Sequence, residues 1–148
     1  MNQKRVFALC VLLACFAAFL AFLFSSQPGK ESVGMSRGIL QWVAGLFGAE
    51  LNSTSLKTWD FFFRKGAHFT LYFVLGFGLC GAFQRQKRMP PWVPALLLGA
   101  AFAVTDEFHQ LFTQRTAMVQ DVLLDSCGVA AGCGAACLVR WIGKKRPN

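Results

Sequence analysis

The chain has 148 residues, 55% of them hydrophobic, with 15 lysines and arginines against 7 acidic residues for a net charge of +8. That length allows a single domain, and the apolar share exceeds the roughly 45 to 50% of a soluble globular protein. The basic residues cluster at the ends of apolar runs instead of along one face, which argues against a nucleic-acid partner and for a lipid one.

The first run, Val6 to Phe24, contains no charge. Lys4 and Arg5 precede it and Ser25-Ser26 follow, as in a signal peptide. It is longer than the roughly 7 to 15 residues of a signal h-region, so we read it as an uncleaved membrane anchor. Leu12-Leu13-Ala14-Cys15 sketches a lipoprotein cleavage box, but Phe16 to Phe24 stays apolar where a lipoprotein would turn polar.

Residues 25–65 read as an outer loop. Within it, SRGILQWVAGLFG from Ser36 to Gly48 spaces Ile39, Leu40, Trp42, Val43, Leu46 and Phe47 helically. Ser36 stands where an N-cap would, and Gly48 where a helix stops. This helix is too short to span and is expected to lie in the membrane interface or to cap the bundle. Trp59 and Phe61 to Phe63 then mark the approach to the second run, residues 66–83, whose only ionisable side chain outside its cysteine and tyrosine is His68. Pro90-Pro91 with Pro94 open a third run, since proline is tolerated in a first helical turn. That run, residues 92–112, is apolar from Trp92 to Thr105 and then carries Asp106, Glu107, His109 and Gln110. The fourth, residues 122–142, brings small residues, among them Gly128, Ala131, Gly132 and Gly134, that let a neighbouring backbone approach closely.

A bilayer core of about 30 Å needs roughly 20 helical residues, so four runs of this length predict an all-α integral membrane protein, a bundle of four transmembrane helices. The basic clusters at Met1 to Arg5, Gln84 to Arg88 and Gly143 to Arg146 place both termini and the middle loop inside by the positive-inside rule. Arg37, Lys57, Arg64, Lys65 and Arg115 fall outside, accompanied by Glu31, Glu50 and Asp60. All six cysteines lie in the apolar runs, where a thiol packs as a small hydrophobe, and no CxxC spacing points to metal or redox work.

Charged groups within a membrane helix are costly and usually mark function. Counted from the inner end of each helix, His68, Asp106 and Asp125 all fall roughly 21 to 24 Å up at 1.5 Å per residue, a common level near the outer surface. Lys65, His68 and Tyr72 share one stripe, Asp106, His109 and Gln110 another, and Asp121 and Asp125 a third. Glu107 is rotated about 100° from Asp106, so at least one of the two needs a separate partner, for which Lys65, Arg64 and Arg115 are candidates. Plainer roles stand beside these: Asp121 as an N-cap, Lys65 and Arg115 snorkelling to headgroups, His109 exposed at a helix end. His68, His109, Asp106 and Glu107 have ligand chemistry, but their spacing matches no HExxH pattern; no metal and no cofactor is expected.

RKGAHFTLYFVLGF at residues 64–77, TDEFHQLFTQR at 105–115 and QDVLLDSCGVAAG at 120–132 resemble, in order and spacing, the signature stretches of VanZ-like membrane proteins. The resemblance marks Lys65, His68, Tyr72, Asp106, Glu107, Gln110, Arg115, Asp121, Asp125 and Gly128. Thr113-Gln114 stand where the family pattern has Pro-Gly. It implies a bacterial plasma membrane and an envelope role, including reduced susceptibility to glycopeptide or lipopeptide antibiotics in some members. Two functions are therefore expected to compete. In one, Lys65, Tyr72, Gln110, Arg115, Asp121 and Asp125 bind an amphiphilic, lipid-linked envelope molecule or antibiotic. In the other, Asp106, Glu107 and His68 perform acid/base chemistry on a lipid-linked phosphate or sugar headgroup.

Overall fold

The computed structural model describes residues 2–86, 88–113 and 118–145. Among these it is all-helical: α1 (Gln3–Ser25), α2 (Gly29–Leu46), α3 (Ser53–Phe83), α4 (Trp92–Gln110) with a 3-10 turn at Leu111–Thr113, and α5 (Val119–Lys145). Helices α1 to α4 begin at capping side chains or just after prolines. The Asn2 carboxamide accepts from Lys4 N at 3.1 Å and that of Asn52 from Ser55 N at 2.8 Å, while Pro28 starts α2. Gly48, with φ of 67°, adopts the left-handed conformation that ends the α2 segment, as its sequence position implied.

Three helices, α1, α3 and α5, are long and apolar enough to cross a membrane. α4 has 19 residues and closes on Asp106, Glu107, His109 and Gln110, which dilute its apolar character. The outward faces are greasy: Leu12, Phe16 and Phe19 of α1, Leu97 and Leu98 of α4, and Leu138 and Val139 of α5 are all exposed. Such a surface suits hydrocarbon, since contiguous apolar patches of this extent are rare on soluble monomers.

Two helix boundaries differ from expectation. α3 starts at Ser53 instead of 66, taking in Trp59 to Lys65, and its 31 residues reach about 46 Å, well beyond a bilayer core of about 30 Å. Charges at Lys57, Asp60, Arg64 and Lys65 lower hydropathy without breaking a helix, so the apolar run understated it. α2 starts at Gly29, so Ser36 lies inside the helix and is buried rather than capping it.

α3 is the axis of the bundle, packed against α5 on one side and α1 on the other, with α4 against α5 and α2 along its first half. Small residues make this possible. On α1 the buried positions are Ala14, Ala17, Ala21 and Ser25. On α5, Gly128 and Gly132 meet α3 so closely that a Cβ on Gly128 would stand 2.7 Å from the Phe69 carbonyl oxygen, and one on Gly132 would collide with that of Phe73. This is the small-xxx-small packing of membrane helices. Cys133 Sγ donates to the Gly76 carbonyl at 3.5 Å and Cys80 Sγ lies 3.9 Å from Cys137 Sγ, while Cys15 and Cys127 are exposed; all six thiols are free.

Candidate functional site

Where α3, α4 and α5 converge, with α2 closing one side, a cavity of about 340 Å³ opens. α3 contributes Arg64, Lys65 and His68, α4 contributes Glu107 and Gln110, and α5 contributes Asp121 and Asp125. Val33, Phe61 and Leu124 supply apolar wall. Seven of the residues singled out in the sequence thus line one space.

The cavity's charges are partly paired. Lys65 Nζ donates to the Asp121 carboxylate, and the two side chains are 25% and 19% exposed. Asp121 therefore serves as an ion-pair partner in the first turn of α5, which starts at Val119, and Lys65 does not merely snorkel. Lys65 also stands 5.6 Å over the Phe61 ring. Arg64 reaches back one turn, Nη2 to Asp60 Oδ2 at 3.1 Å. Glu107 Oε2 accepts from the Met118 amide at 3.1 Å, so among the described residues its partner is backbone and not Lys65 or Arg64.

Asp106 lies deeper, 2% exposed, behind His68 and Asp125. One ligand-type atom from each of His68, Asp106 and Asp125 falls within 4.8 Å of the others, the convergence that equal depth along three helices implied. His68 Nδ1 is 3.8 Å from Asp125 Oδ2, and the His68 ring stacks near-parallel with Tyr72 at 6.5 Å between centroids. Tyr72 is fully buried and supports the site from behind without lining the cavity. His109, which shares its helix face with Asp106 and Gln110, packs its ring on Phe22 of α1 at 4.7 Å and does not line the cavity. The combination of His68, His109, Asp106 and Glu107 as ligands is thereby dissolved. Arg115 lies outside the described residues.

Two residues of the site carried little signal in the sequence. Asp60 is 2% exposed and gathers Arg64, Arg37 Nε at 3.9 Å and the Ser36 hydroxyl, which donates to it. Ser36 also bonds to the Ser32 and Val33 carbonyls at 3.0 and 3.2 Å. The only available hint was an acidic residue four positions before Arg64, the i, i+4 pairing distance of a helix that extends below residue 66.

The model of the VanZ/LLP1 family matches the chain over residues 8–140, which takes in all of these polar residues. The chain belongs to the VanZ/LLP1 family. It is a membrane protein of that family, and every residue lining the cavity falls inside the matched region. No curated protein and no solved structure matches the chain significantly.

Proposed function

We propose that this VanZ/LLP1 member is a bacterial plasma-membrane protein that crosses four times with both termini inside, and that its cavity opens towards the outer leaflet to hold the polar headgroup of an amphiphile. The ligand classes are a lipid-linked envelope component and a glycopeptide or lipopeptide antibiotic, with envelope protection as the consequence. The observation that carries the reading is the mixed-sign wall beside exposed apolar helix faces: Arg64 and Lys65 stand opposite Glu107, Asp121 and Asp125 in one cavity. An ammonium has three donors and Lys65 uses one on Asp121, so charge-assisted bonds remain for anionic oxygens of a headgroup. Gln110 and the carboxylates meet its amine or hydroxyl donors, while the acyl chains follow the greasy surface. In nanodiscs, Lys65→Ala and Arg64→Ala are expected to reduce retention of a lipid-linked phosphate or a lipopeptide at least about tenfold, the worth of one charge-assisted bond. Retention at the wild-type level in both variants removes the reading.

A second reading draws on His68 Nδ1 facing Asp125 at 3.8 Å at the cavity wall. A carboxylate that orients an imidazole is the arrangement of a general base, here acting with Asp106 and Glu107 on a lipid-linked phosphate or sugar headgroup. Asp106→Asn keeps shape and removes base strength; turnover of a lipid-linked substrate unchanged in the folded variant excludes a catalytic role for Asp106.

A further inference from the structure

We infer that His68, Asp106 and Asp125 form a binding site for one divalent transition-metal ion at the floor of the cavity. The site draws one side chain from each of α3, α4 and α5, with a ligand atom of each within 4.8 Å of the other two. Bond lengths of about 2.0 to 2.2 Å at tetrahedral angles put ligand atoms about 3.3 to 3.6 Å apart, so the three close on an ion with inward movements of up to about 1 Å each, within reach of side-chain rotation.

The electrostatics ask for such an ion. Asp106 and Asp125 are 2% and 1% exposed, and none of their four buried carboxylate oxygens makes a hydrogen bond of normal geometry among the described residues, although Ser25, Tyr72 and Gln110 lie beside Asp106 and His68 Nδ1 stands 3.8 Å from Asp125. Buried ionised groups normally have paired partners, and the described cations nearby are engaged elsewhere, Lys65 with Asp121 and Arg64 with Asp60. One divalent cation neutralises both carboxylates and satisfies an oxygen on each. The buried Tyr72 hydroxyl stands next to Asp106, where it can support a ligand carboxylate.

The donor set selects the ion class. One imidazole with two carboxylates suits zinc, manganese or iron, whereas magnesium and calcium favour oxygen ligands alone. Three protein ligands leave coordination positions open, and because His68 and Asp125 also line the cavity, those positions are reachable from it. This site does not depend on what occupies the cavity above it.

The test uses the full chain in nanodiscs, stripped with chelator and titrated with zinc or manganese alone, bound metal being read by mass spectrometry and stability by thermal unfolding. The expected result is about one ion per chain and a metal-dependent rise in Tm. Asp106→Asn, Asp125→Asn and His68→Gln should each weaken binding at least about tenfold and lose the rise in Tm, as loss of one ligand does. His109→Gln, which removes the other histidine, should bind as wild type. The neutral Asp106→Asn and Asp125→Asn variants relieve the buried charge, so they should unfold no earlier than the metal-free wild type. Absence of stoichiometric metal at millimolar zinc and manganese overturns the inference. Undiminished binding in all three ligand variants, or loss of binding in His109→Gln, overturns it equally.

Discussion

Asp60 shows how one carboxylate can organise a region that looks like loop in the sequence. It is almost wholly buried, yet Arg64, Arg37 and the Ser36 hydroxyl surround it, so it ties α2 to α3 while fixing the Arg64 guanidinium at the cavity wall. Removing one partner from such a set costs more than the bond itself, because the remaining charges lose compensation. Asp60→Ala is expected to destabilise the fold by roughly 1 to 3 kcal/mol and to release α2, read as new tryptic cleavage at Lys30 and Arg37. Ser36→Ala should act in the same direction and more weakly. Unaltered protection of both sites in Asp60→Ala would show that α2 is held by apolar contact alone. In the sequence Asp60 stood only as one of three acidic residues accompanying the outer cations, because its burial depends on α2 folding over it, a contact across 24 positions that no local spacing announces.

At the level of elements, the cavity exists because α3 and α5 run close enough for polar side chains on both to converge. Gly128 and Gly132 set that distance, where a side chain would drive into the Phe69 and Phe73 carbonyls. Gly132→Leu should force the helices apart and lower Tm, with a loss of at least about 1 to 3 kcal/mol, the usual cost of overpacking. Gly134→Leu, at a position with open space around it, is the matched control and should leave Tm nearly unchanged. If both variants melt alike, close packing on this face is not what holds the bundle. The small-residue stripe of α5 was legible in the sequence, but its partner residues on α3 were not, because relative rotation of two helices is decided only when they pack.

For the whole molecule, the placement of α4 decides the side to which the cavity opens. It is shorter than the three helices that qualify by length and composition, and its polar end lies at the cavity. Our reading has it cross. In a cysteine-free background, Met89→Cys, before α4, should label only after permeabilisation, and Phe112→Cys, after it, directly from outside. Labelling of both from one side would show that α4 does not cross, and labelling of position 112 only from inside would invert the topology.

The sequence by itself determined that this chain is helical and apolar enough for lipid, where most of its helices lie, and which polar residues stand at a common depth. Those properties follow from composition and from the constant rise of a helix, both local quantities. Only the tertiary structure decided the pairings: Lys65 with Asp121, Glu107 with the Met118 amide, Asp60 with Ser36 and Arg64, and His109 against Phe22 instead of in the cavity. It also extended α3 down to Ser53, since hydropathy reports what a helix is immersed in and not whether the backbone is helical. Depth along three helices brought His68, Asp106 and Asp125 to one level, and their rotation about three axes, set by glycine-mediated packing, turned them towards one another.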